Sequence, residues 1–467
     1  MKHQWILAGT TLATALLLSV APSVAKAEVV LMDQNNWKLT TQGFIETDIY
    51  NDSTRSFREV EGNNPVERSD ANGKGNGLHG RTQFSMRNSR LAFGLAAPAT
   101  ENWKTRGYYE FDFQGYNPAP NNAAPNNAAG SNSESSYYNS GGLRMRHVYL
   151  EGASQSGWKI LAGQTWELMG WQPYYFMTTA DVSPIAAMTY NRVAQVRVSK
   201  QMHLSEAVAM EAALAALRPP QADSQVPDIQ AGVRWTLDNY TSGFTGSASG
   251  ARKVMPASIG LSGAFRSIAM PSSSGTIDRY SGGAVALNAM IPIIPSSDNK
   301  SVSNTLSLLG EFTTGSGYGD QFNGWSGNTA SPLANASANQ TKTIMLTNPT
   351  GLDAGVGDYD STGAFHLIQL QTFNVHMQYH LPNELPFWLD AGFGQLAAGN
   401  MGAVTTNNFG SSSKIAYNRD RTAFFNGFYQ MTENVRTGLE YLYTETRYVD
   451  DAVAKNHRVQ FTGLFTF

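Results

Sequence analysis

Cysteine is absent from the 467 residues. That excludes disulfides, thiolate metal sites and a cysteine nucleophile. Charge is scarce too: Asp, Glu, Lys and Arg make up 15% of the chain, which excludes a highly charged disordered polymer. Hydrophobic residues reach only 41%, too few for a bundle of membrane helices. A basic footprint for nucleic acid is missing, since the formal net charge is −3. The signatures of common catalytic sites are missing as well: there is no Gly-x-Ser-x-Gly elbow, no His-Glu-x-x-His pair and no phosphate loop. Histidines number eight. The close pair His376 and His380 would stand about 13 Å apart along a strand, too far to share one metal. No catalytic residue, metal or cofactor is expected.

The N-terminus addresses the chain. Lys2 and His3 precede an apolar stretch from Ile6 to Val20, Pro22 follows, and Ala25-Lys26-Ala27 is a small-x-small cleavage signature. Residues 1–27 read as a secretory signal peptide, with Glu28 as the first mature residue. A membrane helix would need about 20 apolar residues, and Thr10, Thr11 and Thr14 interrupt this one. Removing the leader takes away Lys2 and Lys26 and no acid, so the net charge falls from −3 to −5. Beyond it no apolar run is long enough to span a bilayer as a helix, so insertion must be by strands.

What is present is alternation with period two. Val459, Phe461, Gly463, Phe465 and Phe467 share one face, and Arg458, Gln460 and Thr462 the other. Val435, Thr437, Leu439, Tyr441 and Tyr443 alternate likewise with Arg436, Gly438, Glu440 and Thr444. Segments of this kind lie near 37–50, 81–97, 103–116, 141–152, 157–166, 189–201, 206–217, 228–237, 256–267, 279–291, 302–314, 364–380, 386–397, 420–431, 434–447 and 456–467. Short connections such as 98–102, 153–156, 202–205, 382–385 and 432–433 alternate with long polar ones at 51–80, 117–140, 167–188, 315–363 and 398–419. The low-complexity runs Pro118 to Gly130 and 326–340 fall in the long ones. The expected fold is all-β: a transmembrane antiparallel β-barrel of about 16 strands over residues 28–467, with long extracellular loops and short periplasmic turns. Two places fit poorly and leave 14 or 18 strands open. The connection 238–255 is too long for a short turn, and 207–217 has the Ala, Leu and Met content of a helix, with apolar residues on both parities. The chain ends on Phe467 within an aromatic alternation, which resembles the insertion signal read by the outer-membrane assembly machinery.

The charges are distributed unevenly. The second to sixth segments hold Arg81, Arg87, Arg90, Lys104, Arg106, Arg144, Arg146, Lys159, Arg192, Arg197 and Lys200 against Glu110, Asp112 and Glu151. An arginine facing lipid near the midplane costs about 2–4 kcal/mol, so most of these should face a watery interior or a rim. Arg144 and Arg146 share a parity, while Leu143 and Met145 take the other. Arg90 changes parity relative to Arg81 and Arg87, as a bulge at Asn88-Ser89 would produce. The plainer reading is that several are solvated charges with no transport role. The connection near 167–188 carries Trp171, Pro173, Tyr174, Tyr175, Phe176, Met177 and Pro184. Folded inward it would narrow the lumen, bring Glu167 and Asp181 to the basic strands, and select ions by sign. Alternatively its aromatics form an oligomer contact or an interface belt.

Arg144-Met145-Arg146-His147-Val148-Tyr149-Leu150-Glu151, followed by Trp158-Lys159-Ile160-Leu161-Ala162-Gly163-Gln164-Thr165-Trp166, resembles a strand-turn-strand segment of the DcaP-like outer-membrane porins, and Asn88-Ser89-Arg90-Leu91-Ala92-Phe93-Gly94 is similar to a strand common among porins. The resemblance covers most of the mature chain in layout, with its specific motifs within 81–200. It implies a Gram-negative outer-membrane location, a sixteen-stranded homotrimer in lipid, a constriction, and passage of small hydrophilic solutes with a preference for anions such as dicarboxylates. Two departures stand out: the coiled coil that often precedes the barrel in that family has no room before a first strand near Trp37, and the mature chain is net acidic. Anion preference would then rest on local placement of Arg87, Arg90, Arg144, Arg146, Arg192 and Arg197. The alternative of another class is a non-conducting structural or adhesion barrel, distinguished by the absence of ion-permeable steps. An outer-membrane hydrolase is third, and turnover of lipid esters would reveal it.

Overall fold

An unpaired backbone amide costs several kcal/mol in hydrocarbon, so an alternating sheet placed in lipid must close on itself. A computed structural model of the chain meets that demand. It describes residues 29–57, 65–70, 75–115, 142–171, 186–221, 224–246, 249–271, 276–322, 325–327, 352–360, 364–405 and 416–467. The runs Pro118 to Gly130 and 328–340, and the leader 1–27, lie outside them.

In chain order the strands are β1 (Val29–Gln34), β2 (Trp37–Asp52), β3 (Arg81–Ser85), β4 (Arg90–Ala96), β5 (Trp103–Gly115), β6 (Gly142–Ser154), β7 (Trp158–Trp166), β8 (Arg192–His203), β9 (Val208–Leu217), β10 (Asp228–Thr245), β11 (Arg252–Pro271), β12 (Ile277–Ile294), β13 (Thr305–Ser316), β14 (Gly357–Tyr359), β15 (Phe365–Leu367), β16 (Gln369–His380), β17 (Phe387–Ala398), β18 (Tyr417–Gln430), β19 (Val435–Tyr448) and β20 (Val453–Thr466). Sixteen antiparallel wall strands form the barrel, with β3 and β4 as two pieces of one; β14 and β15 pair apart, within the connection 317–368. The sheet closes where β2 meets β20, from Phe44↔Thr466 to Asp52↔Arg458. There Arg458 Nε and Nη2 donate to the two Asp52 oxygens at 2.9 and 2.8 Å. Phe467 and Gly43 exchange both backbone hydrogen bonds, at 2.9 and 3.0 Å, so the final residue is stitched to the first wall strand.

The period-two pattern sets the two faces. Outward positions such as Phe265, Val285, Phe425 and Leu439 are exposed large apolar side chains, while inward positions such as Gln378, Asp420, Thr444 and Gln460 are buried polar ones. This is the reverse of a water-soluble sheet and is what contact with lipid requires.

Both poorly fitting places resolve. β9 is a strand: Ala213, Ala215 and Leu217 face inward and pack against Leu168 and Trp171 of the connection between β7 and β8. Its apolar residues occupy both parities because one face meets lipid and the other meets an inward-folded segment. The connection 238–255 is shorter than its sequence implies, because β10 and β11 run on and leave only 246–251 between them. Their pairing skips Asp238 to Tyr240, between Leu237↔Ala257 and Thr241↔Pro256. An element not foreseen is β1, which pairs with the start of β2 through Asn35 and Asn36, both at positive φ of 52° and 62°, the two-residue turn that suits a twisted hairpin.

Candidate functional site

The basic segment of the sequence becomes one continuous wall, β3 to β8. β2 pairs with β3 at Asp48↔Ser85 and with β4 at Phe44↔Arg90, one residue out of step. Ser89 N donates to Met86 O at 3.1 Å within the break. The bulge at 86–89 therefore returns Arg90 to the interior, the parity change seen in the sequence, while Phe84 and Met86 stay exposed outside.

Three arginines converge there on two carboxylates, and a fourth, Arg192, lies beside them. Asp112 on β5 lies opposite Arg144 on β6. Arg144 donates to it through Nε at 3.0 Å and Nη2 at 2.6 Å, a bidentate pairing. Arg146 bridges the two acids, from Nε to Glu110 Oε1 at 2.7 Å and from Nη1 to Asp112 Oδ2 at 2.9 Å. Arg90 Nε stands 3.5 Å from Glu110 Oε1, and its guanidinium lies over Phe44 at 4.9 Å. Arg192 lies over the rings of Trp166 at 4.6 Å and Tyr190 at 5.3 Å. Among the described residues, four guanidiniums beside two carboxylates leave a local surplus of positive charge, and a narrow low-dielectric passage focuses such a surplus. Farther toward the short turns the surplus continues: Glu151 is shared by Arg106 at 3.3 Å and Lys159 at 2.8 Å.

Tyr190 reports this field. It lies in the connection before β8, and Arg192 Nη1 donates to its hydroxyl at 3.3 Å. Burial pushes its pKa up, but Arg192, Arg146, Arg144 and Arg90 outweigh burial and bring it down to about 8.

The remaining arginines named from sequence lie elsewhere. Arg87 is buried and donates to Phe113 O at 3.0 Å and Gly115 O at 3.2 Å, where it ties the bulge to β5. Arg197 donates to Gln195 Oε1 at 3.0 Å and Trp166 O at 2.6 Å, on β8 beside the end of β7. Glu110 and Asp112 entered the sequence reading only as a count of acids. Their i, i+2 spacing matches that of Arg144 and Arg146, and this is the signal that pairs them across strands.

The connection after β7 lies against inward faces in two stretches. Leu168 N and Met169 N both donate to Gln230 Oε1 at 2.8 Å, and Gly170 N donates to Ser262 Oγ at 3.0 Å. Farther along, Ala186 N donates to Thr422 Oγ1 at 2.7 Å, Asn374 Nδ2 to Ala187 O at 3.1 Å, and Thr189 N to Glu311 Oε1 at 3.0 Å. The expectation that Glu167 meets the basic strands is corrected. Glu167 is buried toward β10 instead, where it accepts from Gln230 Nε2 at 3.2 Å. Burial, reinforced by Asp320, holds its carboxyl well above the usual range. Its position follows from the Gln230 contacts of the next two amides, which pull the start of the connection toward β10. Asp181 and the aromatics 173–177 lie outside the described residues. Over the long-loop mouth, Phe57, Val66, Phe322, Trp325, Met401 and Tyr448 form an apolar cluster between connections. Among the described residues no group of His, Cys, Asp and Glu could hold a metal.

No family model and no curated protein matches the chain. Among solved structures it is similar to the outer membrane channel DcaP of Acinetobacter baumannii, at 15% identity and a TM-score of 0.60, over 94% of this chain and 100% of that one. Looser likenesses are OprB of Pseudomonas putida, at 8% identity and TM-score 0.48 over 91% and 94% of the two chains, and an anion-selective porin from Comamonas acidovorans, at 10% and 0.47 over 92% and 100%. At 15% identity the likeness to DcaP is one of fold, a closed antiparallel β-barrel.

Proposed function

We propose that the chain is an outer-membrane porin, a passive diffusion channel for small hydrophilic solutes that favours anions such as dicarboxylates. The observation that carries this reading is the inward cluster in which Arg90, Arg144 and Arg146 share Glu110 and Asp112, the acids paired with them among the described residues, with Arg192 beside them over Trp166. In this reading the inward stretches 167–171 and 186–190 narrow the bore, with Tyr190 beside that cluster. Arg87 and Arg197 serve as props for the strands that present it. In this reading the barrel sits in outer-membrane lipid as a homotrimer, and the assembly machinery reads the Phe467 end. The test is the reversal potential of single channels in a salt gradient. Anion selectivity is expected, and Arg144→Ala with Arg146→Ala should move the potential toward cations. A cation-selective channel that is indifferent to both substitutions would defeat the proposal. One observation favours the alternative of a non-conducting structural or adhesion barrel: inward side chains of β16 to β20, such as His380, Asp420, Thr446 and Gln460, are fully covered. Bilayer recordings without ion-permeable steps would decide for that alternative.

A further inference from the structure

The hairpin formed by the ends of β10 and β11 does not hang below the barrel. The skipped residues Asp238 to Tyr240 re-aim it, as bulges do. Beyond them, Thr241, Ser242, Gly243, Phe244 and Thr245 are all buried. A wall strand alternates between covered and open positions, so five consecutive buried residues have left the wall and are enclosed on both faces. Phe244 packs among Met290, Leu309, Phe424 and Leu442, inward-facing side chains of β12, β13, β18 and β19. From the eighth and ninth wall strands the hairpin has reached the fourteenth and fifteenth. It is fastened along the way. Ser307 Oγ donates to Gly243 O at 2.8 Å. Thr245 N donates to Gln378 Oε1 at 2.6 Å, and Gln378 Nε2 returns a bond to Thr245 O at 3.1 Å. Arg436 Nη1 donates to Gly250 O at 2.9 Å. Arg252, near the tip, donates to Leu385 O at 3.3 Å and lies over the Trp388 ring at 5.5 Å, with Arg436 over the same ring at 4.8 Å. A carbonyl and an aromatic face orient a guanidinium without cancelling its charge. Between the tip and the far wall a cavity of about 260 Å³ remains, bordered by Arg90, Arg252 and Arg436 and by the acids Glu110 and Glu433.

We propose that this hairpin is an inner strap across the bore at its short-turn end, separate from the connection folded in from the long-loop end. Solute leaves through the cavity beside its tip, and Arg252 selects for anions there. The strap rests on the channel reading above and adds a second narrow point with its own selecting residue. A hairpin that only ended the sheet would need no fastenings to β16, β17 and β19.

The test replaces residues 243–254 by Asn-Gly, a two-residue turn that joins the paired Ser242 and Met255. Folding is checked by heat-modifiable gel mobility. Single-channel conductance should rise by about twofold or more, because the narrowest segment limits conduction. A folded, conducting barrel with unchanged conductance overturns the strap and leaves the channel reading intact; no current from either protein overturns both. Should the shortened barrel not fold, Ala251→Cys in the full chain serves, since the protein has no other cysteine. Complete labelling with a sulfonate-bearing methanethiosulfonate, verified by mass, should lower the current, and unchanged current overturns the proposal. Arg252→Glu should shift the reversal potential toward cations; an unshifted potential removes Arg252 from selection.

Discussion

The two halves of the barrel use their inward side chains differently. On β4 to β8 the charged groups bond sideways, strand to strand, as in Arg144 with Asp112 and Arg146 with Glu110. Several keep contact with water: the side chain of Arg144 is 32% exposed and that of Arg106 47%. On β10 to β18 lateral pairs such as Arg266 with Asp228 occur as well, but several inward groups bond upward to backbone that lies over them. Gln230, Ser262, Glu311, Gln378 and Thr422 receive the amides of Leu168, Gly170, Thr189, Thr245 and Ala186, and each is 5% exposed or less. Lateral pairing leaves a wall uncovered, whereas pairing with inserted backbone turns a wall into a floor for the segments that lie over it. Selectivity should therefore respond to the first half and stability of the narrowing to the second.

The largest expected effect is that of Arg146→Ala. Its side chain is buried between Glu110 and Asp112, and removing one partner of a buried ion pair costs about 3–5 kcal/mol. Urea unfolding of the detergent-folded barrel should show that loss, together with a weaker anion preference; a change below about 1 kcal/mol would mean that water reaches the pair. Gln230→Ala leaves the buried amides of Leu168 and Met169 without their acceptor, at a cost of about 1–3 kcal/mol. In contrast to Arg146→Ala it should leave the reversal potential in place, and a shift would break the division between the halves. Arg144→Ala should cost only about 1 kcal/mol, because its partly exposed pair is screened by water, yet it should move the reversal potential toward cations. The fourth effect is one of pH. Tyr190 is neutral below about 8 and anionic above it, so raising the pH from 7 to 9 adds a negative charge among the arginines and lowers anion preference. Tyr190→Phe should flatten that step, and a step that survives the substitution belongs to another group. Smallest is Glu167→Gln. Burial holds this carboxyl well above its usual range and so disfavours its charge, and its amide should change ion selectivity less than Arg144→Ala does; an equal or larger shift would show that Glu167 contributes charge to the passage.

Much of the wall was legible in advance. The parities of 435–444 and 458–467, the inward turn of Arg90 and the shared face of Arg144 and Arg146 all follow from a two-residue repeat whose outer face must be apolar. The strand at β9 was legible only as an ambiguity, because Leu168 and Trp171, which make its inner face apolar, lie some forty residues earlier in the chain. The side chosen by Glu167 was not legible, since Gln230 is 63 residues away. Nor was the partnership of Phe244 with Leu442, or the role of the stretch that reads merely as an overlong turn.

By itself the sequence determined that the chain crosses as alternating strands, which side chains meet lipid and where basic residues gather. These depend on local alternation and on the demand that every amide in hydrocarbon be paired. Only the tertiary structure decided what lies inside: which connections bend back into the bore, which arginines are bound by acids and which remain to meet a solute. Inside the barrel the partners of a side chain come from strands that alternation places on the same face but cannot place across from one another.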